Sequence, residues 1–203
     1  MTRVKICGLK RAEDIAHANE LKPEYVGFVF VKGSGRYVSP ESAAQLKAGL
    51  SRNITAVGVF VNEPPENVLE LLESGTIDMA QIHGSEGADY IRTLKRRTGK
   101  PLIQAFRIES AADIATAASS PADFVLLDHG AGGTGKAFDW SLVSGLNRPF
   151  FLAGGLSPEN VGDAIACCHP FAVDSSSKLE SDGFKDYDKM KRFIDAVRMN
   201  GNR

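Results

Sequence analysis

The sequence predicts an α/β protein, a single (β/α)8 barrel of the TIM type spanning residues 1–203. Three observations predict it. Short runs rich in Val, Ile and Phe alternate with longer stretches whose apolar residues recur at helical spacing. The alternation repeats with a unit of roughly 20–29 residues, the size of one strand and one helix, and eight such units fit the chain. No Pro/Ser-rich linker, charge block or shift in composition divides it. Strand–helix alternation implies parallel strands, and eight units favour a closed barrel over an open doubly wound sheet. A chain of 203 residues is short for that architecture, so the loops must be short.

Taken in order, the first strand opens near Arg3 and leads to a helix over Arg11–Leu21. The second opens near Tyr25, with a helix over Pro40–Leu50, and the third near Ile54, with a helix over Pro65–Glu73. The fourth begins near Ile77 and the fifth near Pro101, followed by helices over Glu86–Arg97 and Ala111–Ala118. The sixth starts near Asp123, with a helix over Trp140–Leu146, and the seventh near Pro149, with a helix over Pro158–Cys168. The eighth strand opens near Pro170, and a last helix covers Asp186–Met199.

Composition narrows the function classes. Hydrophobic residues make up 43% and charged residues 24%, and 24 Lys+Arg against 25 Asp+Glu leave a formal net charge of -1. That is an ordinary soluble profile, without the basic excess of a nucleic-acid binder. A small anionic ligand held by local groups suits it better than a polymer. The first residues, Met-Thr-Arg-Val-Lys-Ile-Cys-Gly, lack the long apolar stretch of a signal peptide or membrane helix, so a cytoplasmic protein without membrane contact is expected. The three cysteines are Cys7 and the adjacent Cys167 and Cys168, with neither metal-ligand spacing nor a disulfide framework. They are expected to stay reduced, and no metal is expected.

A barrel carries its chemistry on the loops that follow the strands. Strand seven ends in Ala153-Gly154-Gly155-Leu156, and Ser157-Pro158-Glu159-Asn160 then opens a helix. Strand eight ends in Asp174-Ser175-Ser176-Ser177. Free amides of loop seven, completed by the backbone amides and hydroxyls of loop eight, would lie at the recurrent phosphate position of such barrels, so a phosphorylated substrate is expected there. Each loop alone also reads as a tight turn capped by Ser. Gly130-Ala131-Gly132-Gly133-Thr134-Gly135 literally satisfies G-x-G-x-x-G. It does not open a βαβ unit with an acid about 20 positions later on the next strand tip, so no nicotinamide cofactor is expected. A glycine-rich loop over the mouth explains the same residues, with Lys136 either serving the ligand or simply solvated.

Alternation along strand six puts Asp128 on the inward face with Leu126 and Phe124, where apolar neighbours favour the protonated carboxyl that a general acid needs. A carboxylate capping the glycine loop is the plainer alternative, and Asp174 holds the equivalent place on strand eight. Cys7 ends strand one, with Lys5 on the same inward face. Lys5 has two available roles: lowering the thiol pKa, or pairing with Asp174 across the seam between strands eight and one. Cys7 itself reads either as a small core residue or as a proton acceptor, and Gly8 beside it leaves room for a ligand. Arg36, in Gly33-Ser34-Gly35-Arg36-Tyr37, reads either as a partner for a carboxylate or as a solvated loop arginine. His83 reads as a loop histidine bonded to backbone or as a titrating group.

These pieces, taken in chain order, resemble the phosphoribosylanthranilate isomerase family. The matching segments are Lys5-Ile6-Cys7-Gly8, Ser34-Gly35-Arg36, Val57-Gly58-Val59-Phe60, Gln81-Ile82-His83-Gly84, Leu127-Asp128, Gly132-Gly133-Thr134-Gly135 through Phe138-Asp139-Trp140, and Leu152-Ala153-Gly154-Gly155-Leu156. The resemblance implies a cofactor-free and metal-free Amadori rearrangement of N-(5-phosphoribosyl)anthranilate to 1-(2-carboxyphenylamino)-1-deoxyribulose 5-phosphate, a step of tryptophan biosynthesis. It implies Asp128 as general acid, Cys7 as general base, Arg36 on the anthranilate carboxylate, and phosphate on Gly154, Gly155, Ser175 and Ser176. A monomer or a homodimer is compatible with it.

One segment departs from the family pattern. Where the family commonly shows Asp-Val-Ser-Ser-Gly-Val-Glu, this chain has Asp174-Ser175-Ser176-Ser177-Lys178-Leu179-Glu180. Ser177 or Lys178 stands for the glycine, which predicts a different backbone in the phosphate cradle. Two rival readings exist. The related histidine-pathway isomerase, or its dual-substrate variant, places an aspartate where this chain has Cys7 and needs a second phosphate cradle. A non-catalytic phosphosugar-binding barrel would not need both an acid and a base.

Overall fold

The computed structural model describes residues 1–128, 140–143 and 145–200. Eight apolar runs become strands because each is buried on both faces, as a parallel sheet requires. They are β1 (Arg3–Cys7), β2 (Tyr25–Val29), β3 (Thr55–Phe60), β4 (Met79–Ile82), β5 (Leu102–Arg107), β6 (Phe124–Asp128), β7 (Phe150–Leu152) and β8 (Ala172–Ser175). They pair in parallel, in chain order, and β8 closes the barrel against β1 with Lys5 opposite Asp174. The (β/α)8 barrel expected from the sequence is the observed architecture.

Seven α-helices appear among the described residues: α1 (Ala12–Leu21), α2 (Pro40–Gly49), α3 (Pro65–Glu73), α4 (Ala88–Arg97), α5 (Ala111–Ala118), α6 (Val161–Cys168) and α7 (Tyr187–Asn200). Local chemistry sets their starts. Ser39 accepts the Ser42 amide at 3.2 Å ahead of Pro40, and Asp113 accepts the Ser110 amide at 2.8 Å. On α7, Met190, Phe193, Ile194 and Val197 are buried, the spacing of one helical face.

Alternation along the strands separates two cores. Val125 and Leu127 of β6 point outward and join the large cluster under the helices. Leu126 points inward and packs with Val57, Met79, Ile103, Phe151, Ala153 and Ala172 inside the barrel. Toward the mouth, Cys7, Val29 and Val59 form a third, small cluster. The floor is aromatic, with Phe151 edge-on to Tyr25 at 5.3 Å and to Phe124 at 5.7 Å.

Three elements differ from expectation. The helix expected over Trp140–Leu146 is a single 3-10 turn at Trp140–Val143, because Gly145 (φ 104°) leaves helical space and too few residues remain to repay a helix nucleus. The helix expected from Pro158 begins at Val161. The Ser157 carbonyl accepts the amides of Asn160 and Val161, and the Asn160 side chain bonds back to the Ser157 amide at 2.8 Å, which makes a turn of those residues. An unexpected antiparallel hairpin, β9 (Glu180–Ser181) and β10 (Phe184–Lys185), follows a 3-10 turn at Ser177–Leu179. Asp182 (φ 52°) and Gly183 (φ 78°) form its left-handed two-residue connection.

Candidate active site

The C-terminal ends of the strands gather the reactive side chains. Cys7 is 9% exposed at the tip of β1, and its sulfur lies over Gly27 of β2, where a Cβ would come within 2.6 Å of Sγ. Gly27 is thus a site residue that the sequence did not single out, since a glycine inside a strand announces close approach without naming what approaches. Gly8 has φ 89°, and a Cβ there would sit 2.5 Å from Cδ of Arg36. The room expected beside Cys7 is therefore filled by the Arg36 stem rather than left open.

Lys5 lies wholly buried beneath Cys7, with Nζ 2.8 Å from Asp174 Oδ2. The seam pairing is formed, and the ammonium still acts on the thiol. Burial alone would lower the Lys5 pKa, but Asp174 and Cys7 reverse that and raise it. Burial pushes the Cys7 thiol above its usual value; Lys5 and, more weakly, Lys185 oppose this, while Asp174 adds to it. Asp174 is likewise raised by burial, against the pull of Lys5.

Asp128 ends β6 on the inward face, 25% exposed, with His83 Nε2 at 3.5 Å from Oδ2. The surround is half open and polar rather than the apolar pocket expected. His83 is not tied to backbone through its ring, because Gln81 Nε2 lies 2.7 Å from Nδ1. A Gln81 N–H donated to Nδ1 leaves the ring proton on Nε2, facing Asp128. Gln81, one of the few buried polar side chains of the wall, thereby fixes the histidine that faces the carboxylate.

Arg36 reaches over Gly8 and meets Glu180 in a two-pronged ion pair, Nε–Oε1 2.7 Å and Nη2–Oε2 2.8 Å. Glu180 also receives Lys185 Nζ at 2.6 Å. Burial pushes the Glu180 carboxyl up, but the hydrogen bonds and charges of Arg36 and Lys185 override it and hold it down at about 2. Neither Glu180 nor Lys185 was legible as a site residue. The Asp182-Gly183 pair was the available signal for the hairpin that carries them.

In loop seven, Gly154 (φ 94°) and Gly155 (φ 70°) are consecutive left-handed residues, a backbone that only glycine adopts cheaply. Successive amides in such a turn form an anion-binding concavity. The serines of loop eight are more committed than expected. Ser175 Oγ donates to the Leu156 carbonyl at 2.6 Å and Ser176 Oγ to the Cys7 carbonyl at 2.8 Å. The Ser177-Lys178 departure does not force left-handed backbone, since neither residue has positive φ and the 3-10 turn absorbs both. His129, the glycine segment Gly130–Gly135 and Lys136 lie outside the described residues.

Fold and mouth together define a class: a (β/α)8 barrel that collects a thiol, a carboxyl and an arginine beside a glycine turn suited to phosphate. A family model described as N-(5'-phosphoribosyl)anthranilate (PRA) isomerase matches residues 4–196. An N-(5'-phosphoribosyl)anthranilate isomerase from a Thermoanaerobacter species is 46% identical over 98% of both chains. The crystal structure of phosphoribosyl anthranilate isomerase from Thermotoga maritima superposes with a TM-score of 0.89 at 39% identity, covering 98% of this chain and 100% of that one. Another, at TM-score 0.87 and 37% identity over 98% and 100%, holds reduced 1-(o-carboxyphenylamino)-1-deoxyribulose 5-phosphate. The chain belongs to the phosphoribosylanthranilate isomerase family.

Proposed function

We propose that this chain converts N-(5-phosphoribosyl)anthranilate to 1-(2-carboxyphenylamino)-1-deoxyribulose 5-phosphate, with Asp128 as general acid and Cys7 as general base. The observation that carries the reading is the placement of a thiol on β1 and a carboxyl on β6 at one mouth, in a chain of this family. Protonated Asp128 gives its proton to the furanose ring oxygen as the C1–O bond breaks, and the nitrogen lone pair forms the C1=N double bond. The Cys7 thiolate then takes the C2 proton, and the C2–H electrons make the enolamine, which tautomerises to the ketone. His83, presenting its Nε2 proton, supports the aspartate after it has given its own away.

Arg36 takes the anthranilate carboxylate, and the amides of Gly154, Gly155, Ser175 and Ser176 take the phosphate. With both serine hydroxyls engaged elsewhere, the backbone supplies the cradle. The buried Cys7 thiol needs Lys5 to make thiolate accessible, so Lys5 serves the base while it closes the barrel seam. Residues 1–203 act as one domain, in the cytoplasm, as a monomer or a homodimer. No described helix is long and apolar enough to cross a membrane, and a dimeric relative from Thermotoga maritima also exists as generated monomers.

The test makes the labile substrate in situ and follows loss of its anthranilate fluorescence with wild type, Cys7→Ala and Asp128→Asn. Wild-type turnover with both variants silent is expected. Binding without turnover in wild type would make the chain a phosphosugar-binding barrel, and full activity in Cys7→Ala would transfer the base role to Asp174.

A further inference from the structure

Glu180 and Lys185 have no part in the proposed rearrangement, yet they hold Arg36 in a cluster of short ion pairs. Glu180 occupies the Nε/Nη2 edge of the guanidinium. An arginine fork has five N–H groups and two edges, so this pairing leaves the Nη1/Nη2 edge, and among the described residues nothing accepts from Nη1. The side chains are graded in exposure from Arg36 (33%) through Glu180 (11%) to Lys185 (0%). The open edge is therefore at the mouth and the anchor lies inside.

Lys185 holds Glu180 from below and also donates to the Ser176 carbonyl at 3.1 Å, while Lys189 Nζ donates to the Glu180 carbonyl at 2.7 Å. One carboxylate between two cations leaves a net positive charge. Lys185 neutralises Glu180, so the charge of Arg36 stays available to a ligand. A free arginine side chain loses rotamer entropy when it is fixed, and an arginine already fixed loses little more on binding.

We propose that Glu180, gripped by Lys185, is a positioning residue that holds one edge of Arg36 so that the other edge meets the carboxylate of the substrate. The proposal rests on the isomerase reading, in which that carboxylate belongs to the anthranilate ring.

The test compares two ligands by titration: the reduced product 1-(2-carboxyphenylamino)-1-deoxyribulose 5-phosphate, and its counterpart made from aniline, which lacks the carboxyl group. The readout is the ratio of their affinities, because loosening of the phosphate cradle weakens both ligands alike. Glu180→Gln leaves a buried ammonium without its anion and risks misfolding, so Glu180→Gln/Lys185→Met, neutral throughout, is measured beside it. The ratio is expected to fall about tenfold in the variant that folds, the worth of one well-placed charge-assisted contact, and to fall no further when Glu180→Gln/Lys185→Met is added to Arg36→Met. An unchanged ratio, an equal fall on top of Arg36→Met, or tighter binding of the carboxylated ligand would each overturn the proposal; the last would make Glu180 a competitor of the substrate. Failure of wild type to bind either ligand or to turn over would overturn the isomerase reading itself.

Discussion

The floor and the mouth of this barrel are opposite ends of one closed sheet and solve opposite problems. At the floor, inward positions of β2, β6 and β7 carry Tyr25, Phe124 and Phe151, and Phe171, just ahead of β8, packs against the last two, with Arg3 capping Phe171 at 4.2 Å from the ring centroid. At the mouth, inward positions carry Lys5 and Cys7 of β1, Asp128 of β6 and Asp174 of β8. The floor gains from burial, most of all at Phe151, which is wholly buried and contributes on the order of 1.5–3 kcal/mol by leaving water, while Tyr25, Phe124 and Phe171 are partly buried around it. The mouth pays for dryness with displaced titrations at Lys5, Cys7 and Asp174. Stability and reactivity are thus stacked along one axis, and the parity of each strand keeps both facing inward.

The division is open to attack from either end. The largest effect is expected at the mouth, where Asp128→Asn or Cys7→Ala lowers kcat/KM by about 10²–10⁴-fold, with urea midpoints close to wild type. A matching fall in stability would mean that the mouth is structural. At the floor, Phe151→Ala is expected to cost about 3–5 kcal/mol of unfolding free energy, read from urea melts, while KM of the folded fraction stays put. A changed KM would show that the two layers are coupled.

Two pH experiments sharpen the mouth side. Burial raises the Cys7 thiol, so its alkylation, followed by mass spectrometry of the Cys7 peptide, should be slow at neutral pH and accelerate only past the usual 9.0. Fast alkylation at pH 7 would show that Lys5 outweighs burial. The smallest effect belongs to Glu180. Its carboxyl titrates at about 2 in the folded chain, below the usual 4.5. Its contribution is therefore complete above about pH 4.5 and lost as the pH falls toward 2. The gap in urea midpoint between wild type and Glu180→Gln/Lys185→Met should change across that window and stay flat from there to neutral pH, below the range in which Lys185 titrates.

Much of this was legible in the chain because it rests on short-range regularities. Alternating side-chain direction placed Cys7 with Lys5 and Asp128 with Leu126, and these placements needed no tertiary information. The repeating strand and helix pattern failed at Trp140–Leu146, where a lone 3-10 turn before Gly145 replaces a helix, and it gave no sign of the hairpin after β8. The roles of acid and base came through family resemblance, since parity places side chains without ranking Asp128 against Asp174.

What the sequence determined by itself was the barrel and the placement of Cys7, Lys5, Asp128 and Asp174 at strand ends, because both follow from periods of two and of about 3.6 that every segment carries locally. What only the tertiary structure decided was the pairing at the mouth. The Lys5–Asp174 pair across the seam was open to the sequence as one of two roles for Lys5, but Arg36 meets Glu180 across 144 positions, and the Cys7 sulfur rests on Gly27 of the neighbouring strand. Such pairings depend on which strand closes onto which and on where a two-residue turn aims a hairpin, and no local pattern in the chain contains that information.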